Sequence, residues 1–258
     1  MDLELKGKKV LVTGGSKGIG LACAKAFIAE GARVAIVSRS QANLDAAKKV
    51  LKECFCVSGD LADAAAAAAV VEKVEKEFGP VDVLVNSAGA ARRTNADDLN
   101  PAAWRAAMDA KYFTYINVID PLVKRMAARG RGVIVNIIGA GGKIASPIHL
   151  PGGSANAALM LATAGLANAY AAKGVRVVGI NPGLTNTSRV SEGLKADAKR
   201  EGISEEEALA RAKKKMPLGR LAEPEEIADI AVFAASERGR FLTGANISAD
   251  GVSVPTVV

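Results

Sequence analysis

The chain is poor in the residues that build metal centres and disulfide frameworks. It has one histidine, His149, and three cysteines, Cys23, Cys54 and Cys56. A metal site needs several clustered imidazole, thiolate or carboxylate ligands, and this supply is thin and scattered, so no metal is expected. Cys54 and Cys56 sit two apart on a strand-like stretch and face the same way. That placement is poor for a disulfide and predicts small buried thiols in a reducing compartment. Aromatic residues are 4% of the chain, and no basic stretch is interleaved with them, which argues against nucleic acid as a partner. No apolar run approaches membrane length. The N-terminal stretch "MDLELKGKKVLVTGG" lacks the charged-then-apolar pattern of an export leader. The expected location is the cytoplasm, with no membrane partner.

What is present is ordinary for a soluble α/β protein. Half of the 258 residues are hydrophobic and 24% are charged, enough for one sizeable core. Lys and Arg exceed Asp and Glu by 34 to 27, a net charge of +7, and a positive surplus favours anionic ligands by long-range attraction. Apolar strand-like runs alternate with helical patterns: "KKVLVTGG", "RVAIVSR", "CFCVSGD", "VDVLVNSAG", "GVIVNIIG" and "VRVVGINPG" are separated by segments of 3.6-residue periodicity. Helices are expected over 63–78, 101–129 and about 149–173, and from Pro224, with a last short strand near Asn246–Ser248. Near-continuous apolar strands between helices predict a doubly wound parallel sheet of the Rossmann type, in a single domain over 1–258.

The stretch "TGGSKGIG", Thr13–Gly20, joins the first strand to the first helix. Glycines there allow a tight turn and close approach of backbone to a pyrophosphate, and the helix start offers free N–H groups to it. With "NSAG" (Asn86–Gly89), "GVIVNIIG" (Gly132–Gly139), "NPGLTNT" (Asn181–Thr187), "PLGRLAEPEEIA" (Pro217–Ala228) and "LTGANISADG" (Leu242–Gly251), the chain resembles the short-chain dehydrogenase/reductase family over nearly its whole length. The resemblance implies a nicotinamide dinucleotide as cofactor. It places Gly14, Ser16, Lys17, Gly18, Ile19 and Gly20 in the phosphate turn, and Asp60 and Leu61 at the adenine. It places Asn86, Ala88 and Gly89 beside the cofactor, and Pro182, Gly183 and Thr187 at the nicotinamide carboxamide. An acidic residue after the second strand would bond a ribose 2′-OH and repel a 2′-phosphate. Ser38 and Arg39 stand there instead, with Lys17 in the glycine turn, and two cations and a hydroxyl suit NADP(H).

The family's usual catalytic set is absent. It carries a serine after the fifth strand, a tyrosine thirteen residues on and a lysine four further. These positions are Gly139, Gly152 and Asn156. The family's asparagine, seven residues after a tryptophan, falls from Trp104 on Lys111. Amide and amine have thus changed places, and Lys111 and Asn156 are expected to meet across the site. Lys111 is expected to point into the space a tyrosine would occupy at 152, within hydrogen-bonding reach of Asn156 directly or through one water. The plain alternative is a solvated helix lysine and a helix-start filler. His149 has an ordinary pKa near 6.5, suited to proton transfer, and is also readable as a surface-loop residue. Tyr115 shares a helical face with Lys111, whereas Tyr112 is turned by about 100°. Ser146 is a further candidate for the lost hydroxyl. The candidate catalytic residues are therefore Lys111, His149, Tyr115 and Asn156.

Arg92 and Arg93 leave the fourth strand at the crevice end and are readable either as an anion clamp or as an exposed pair. Residues 188–216 correspond to the family's substrate-covering segment, with "SEEE" from Ser204 as a helix start. The helices at 101–129 and 152–173 form the subunit interface in the family, which implies a homodimer or homotetramer. The expected partner is a small-molecule substrate, with the charge balance favouring an anionic one. The reading is an NADP(H)-dependent oxidoreductase acting on a carbonyl or alcohol through a non-standard site. Its rivals are a non-catalytic NADP(H)-binding sensor or partner subunit, and a non-redox enzyme on the same scaffold.

Overall fold

The computed structural model describes residues 1–256 except Ala90 and Arg92, and for Arg200 the backbone alone. Its sheet consists of β1 (Lys9–Thr13), β2 (Arg33–Ser38), β3 (Phe55–Ser58), β4 (Val83–Asn86), β5 (Gly132–Ile137), β6 (Val175–Pro182) and β7 (Asn246–Ala249). The spatial order is β3-β2-β1-β4-β5-β6-β7, with all neighbours parallel. The order reverses between β1 and β4, so a crevice opens beyond their carboxyl ends.

The apolar strands are explained by two separate cores, one on each face. Val10 and Val12 of β1 pack with residues of α1 (Gly18–Ala29), α2 (Gln41–Leu51) and α9 (Pro224–Ala235). Leu11 points the other way, into a cluster with α3 (Ala64–Glu77), α5 (Thr114–Ala128) and α6 (Leu150–Tyr170). The alanine-rich α3 contributes a single buried stripe, Ala67, Val70, Val71 and Val74, behind an N-cap in which Asp63 accepts from the Ala66 amide. The covering segment forms α7 (Ser188–Glu201) and α8 (Glu205–Lys214), and Ser204 caps α8 by accepting from the Glu207 amide at 3.0 Å. Among the described residues no helix is long and apolar enough to cross a membrane.

The expected continuous helix over 101–129 is interrupted. It consists of α4 (Pro101–Met108), a π-helical turn over Asp109–Phe113, and α5. No glycine or proline marks that turn in the sequence. Gly89 lies so close to this turn that a Cβ there would overlap the Ala110 carbonyl, and Lys111 within the turn is 9% exposed. Such turns recur at functional sites.

Candidate active site

The crevice holds a groove of about 630 Å³. Its floor is the glycine turn between β1 and α1. The first turn of α1 has neither a capping side chain nor an acidic residue, so its free N–H groups and partial positive charge are available to an anion. The backbone is tightly folded here. A Cβ at Gly14 would stand 2.8 Å from the Ser87 carbonyl oxygen, and one at Gly20 would overlap the Gly14 carbonyl. Both obstructions are backbone, so Gly20→Ala is expected to weaken dinucleotide binding at least tenfold and to lower stability by about 1–3 kcal/mol. Calorimetric titration and thermal melting check both.

Of the residues assigned to the cofactor, Gly14, Lys17, Gly18, Ile19, Ser38, Arg39, Asp60, Leu61, Ala88, Gly89, Pro182, Gly183 and Thr187 line this groove. Ser16, Gly20 and Asn86 do not line it. Ser16 is buried, 8% exposed; Gly20 lies behind Gly14; Asn86 belongs to a polar relay beneath. In that relay Thr13 Oγ1 donates to Asn86 Oδ1 at 3.2 Å, and Asn86 Nδ2 donates to Asn136 Oδ1 at 3.0 Å. Asn136 Nδ2 then donates to Thr163 Oγ1 at 3.0 Å. Thr13 Oγ1 also accepts from the Ser87 and Ala88 amides. The relay ties β1, β4, β5 and α6 together and holds the loop after β4 in place. A dinucleotide fits the groove by three observations: an uncapped helix start, a glycine turn folded too tightly to admit a Cβ at Gly14 or Gly20, and two exposed cations. Lys17 and Arg39 have no hydrogen-bond or ion-pair partner among the described side chains, so both are free to meet a phosphate.

Beside the groove lies a larger cavity of about 1010 Å³, bordered by α7, α8 and the start of α6. Lys111 lines both spaces. Its Nζ donates to Tyr115 Oη at 2.9 Å and to the Ile137 carbonyl at 3.1 Å. The Tyr115 hydroxyl donates in turn to Ile137. Burial, reinforced by the Arg189 charge, lowers the Lys111 pKa to about 7. Tyr115 is fully buried, lines neither space, and has its pKa raised by desolvation. It supports Lys111 and does not face a ligand itself.

The space opposite is filled differently from expectation. Lys111 makes no direct hydrogen bond to Asn156, its amine being engaged with Tyr115 and Ile137, and the space beside Gly152 is taken by His149. A Cβ at Gly152 would overlap His149 Cε1 and stand 2.5 Å from Nε2, while one at Gly141 would lie 3.5 Å from Cδ2. The imidazole therefore lies between two glycines. His149 sits at the N-cap of α6 with φ −141° and ψ 26°, which folds its ring back over the first turn; no sequence pattern signals this. Asn156 lies at the position the reciprocal exchange required, with Nδ2 3.3 Å from where a Gly139 Cβ would be. Its Oδ1 and His149 Nδ1 are buried without a protein partner among the described residues. Buried polar atoms of this kind are normally satisfied by water or ligand. Lys111, Gly152 and Asn156 line this cavity, and Gly139 and Lys111 line the groove beside it. Ser146 lines the same cavity.

Charge in the cavity is positive. Desolvation lowers the His149 pKa, and Arg93, Arg189 and Lys111 add to the shift. Arg93 is paired with Asp197 at 3.2 Å, so it is not a free clamp; Arg92 lies outside the described residues. Arg189 was not among the residues picked out from the sequence. It lines groove and cavity alike, and its Nη1 donates to the Gly89 carbonyl at 3.3 Å. The available signal was a cation two residues beyond Thr187, in the first turn of the covering segment.

The profile of the short chain dehydrogenase family matches residues 8–198. A 3alpha-hydroxysteroid dehydrogenase of Mediterraneibacter gnavus is 32% identical, covering 98% of this chain and 99% of its own. An acetoacetyl-CoA reductase of Shinella zoogloeoides is 36% identical over 93% of this chain and 96% of its own. Among solved structures, L-sorbose reductase from Gluconobacter frateurii, in complex with NADPH and L-sorbose, superimposes with a TM-score of 0.94 at 31% identity, over 100% of both chains. Actinorhodin polyketide ketoreductase with NADPH gives a TM-score of 0.91 at 27% identity over 95% of this chain and 96% of its own. The chain belongs to the short-chain dehydrogenase family, and its fold is that family's Rossmann-type sheet.

Proposed function

We propose that this protein is an NADP(H)-dependent carbonyl reductase in which Lys111 takes the part of proton donor. The observation that carries the reading is the position of the Lys111 amine at the junction of groove and cavity. An ammonium has three N–H donors. Two are committed to Tyr115 and Ile137, and the third is left for a substrate oxygen. When bound, the reduced nicotinamide supplies the hydride. Lys111 orients the carbonyl through this third donor, stabilises the charge that develops on its oxygen, and transfers its proton there. A pKa of about 7 suits a group that must both give and recover a proton near neutrality. Tyr115 holds the amine in place. His149 closes the tyrosine-sized gap and excludes water from it. The segment about 188–216 covers the substrate. Two family members with bound NADPH support the cofactor assignment, as do the free Lys17 and Arg39.

Self-association through α4, α5 and α6 belongs to the same reading, as a homodimer or homotetramer. These helices and the turn between them leave Trp104, Phe113 and Leu161 exposed at 38%, 40% and 77%.

NADPH is expected to bind at least tenfold more tightly than NADH, about 1.4 kcal/mol, and Arg39→Asp should reverse the order. Calorimetric titration of both nucleotides measures this, and equal affinities in the parent protein would contradict it. NADPH oxidation against ketones and acyl thioesters tests catalysis. Binding without oxidation of any of them would favour the non-catalytic reading.

A further inference from the structure

Lys111 and Arg189 approach the large cavity from either side of Gly89. The Gly89 carbonyl accepts from Arg189 Nη1, and on its other side a Cβ at Gly89 would stand 3.3 Å from Lys111 Cα. Five cations, Arg93, Lys111, Arg189, Arg211 and Lys215, line the cavity against two carboxylates, Asp197 and Glu201. Those carboxylates offset two of the five: Asp197 pairs with Arg93 at 3.2 Å and Glu201 with Arg211 at 3.2 Å, which leaves Lys111, Arg189 and Lys215 as the surplus among the described residues. Among the described residues neither Lys111 nor Arg189 has an acidic partner in an ion pair. Glu192, on the same helix as Arg189, attracts it at longer range, but lines the cofactor groove and not the cavity. The two cations share their cavity with Asn156, 6% exposed, whose Oδ1 has no protein partner. Like charges converging in a concave, partly desolvated site raise each other's energy unless an anion joins them.

We propose that Arg189 selects the substrate: a small carbonyl compound carrying a carboxylate or phosphate a few atoms from its carbonyl. The anion pairs with the guanidinium of Arg189 while the carbonyl oxygen turns to Lys111. This rests on the reductase reading for the carbonyl, and on the cavity's own charges for the anion. An anionic substrate gains a charge-assisted pair with Arg189 that a neutral analogue lacks, and that gain sets the preference.

The test is calorimetric titration of the protein with and without saturating NADP⁺. Acetoacetate is compared with methyl acetoacetate, and dihydroxyacetone phosphate with dihydroxyacetone. At least one anion should bind tenfold or more tightly than its neutral counterpart, and the two pairs tell carboxylate from phosphate. Arg189→Met should abolish that preference. Binding of neither anion, equal binding of anion and neutral partner, or a preference that survives in Arg189→Met would overturn the proposal. So would an equal loss of NADP⁺ affinity, which would assign Arg189 to the cofactor. A preference that meets these conditions without any NADPH oxidation would sink the reductase reading and leave the anion site standing.

Discussion

Lys111→Met is expected to lower kcat by about 10²–10⁴-fold, the range general acids contribute, while the protein melts at a higher temperature than its parent. The two effects have one cause. In the unfolded chain the amine has its ordinary pKa of 10.5, and in the folded protein burial brings it to about 7. Between these values the unfolded state binds more protons than the folded one, so stability rises with pH across that window. Below pH 7 the amine is charged in both states and the folded protein carries the full cost of a buried charge. Methionine keeps the length and removes the charge. The gain should be of the order of a few kcal/mol at pH 6 and shrink as pH approaches 10. Activity moves the other way. A proton donor of this pKa predicts that reduction slows as pH rises through about 7. Stopped-flow NADPH oxidation and melting curves at pH 6, 8 and 10 measure both. A variant with parental kcat, or a melting temperature lower at every pH, would remove Lys111 from the proposed role.

Gly152→Tyr combined with Asn156→Lys restores two residues typical of the family and is expected to reduce native turnover at least tenfold without creating a general reductase. Any side chain at 152 meets the His149 ring, so the tyrosine has to evict it. A lysine at 156 adds a further ammonium to a cavity already held positive by Lys111 and Arg189. Gly152→Ala isolates the first effect. The obstruction is the far end of a flexible side chain, so the variant should fold with a loss of about 1–3 kcal/mol as His149 leaves its slot. Parent, single and double variants on one panel of ketones decide the matter. New activity in the double variant would mean that the parent has merely lost its catalytic set.

Sequence order made the sheet and the glycine turn readable, because each depends on a few adjacent residues and a strong local pattern. Lys111 and Tyr115 were readable as neighbours because the i, i+4 relation survives the π-helical turn. What was not readable depends on contacts distant in the chain. Gly89 packs against the π-helical turn from 22 positions away. His149 folds back into a slot between Gly141 and Gly152, a placement that no local pattern signals. Arg189 matters because α7 carries it over Gly89, 100 residues earlier in sequence.

The Thr13–Asn86–Asn136–Thr163 relay lies one layer beneath the chemistry. It clamps three strands to α6 with side chains that never meet a ligand. A platform stiffened in this way keeps its shape when the residues above it are exchanged. The vulnerable positions are then the silent ones. Asn136→Leu should loosen the loop after β4 and the middle of α6 around Thr163, although neither the cofactor groove nor the large cavity includes that residue in its lining.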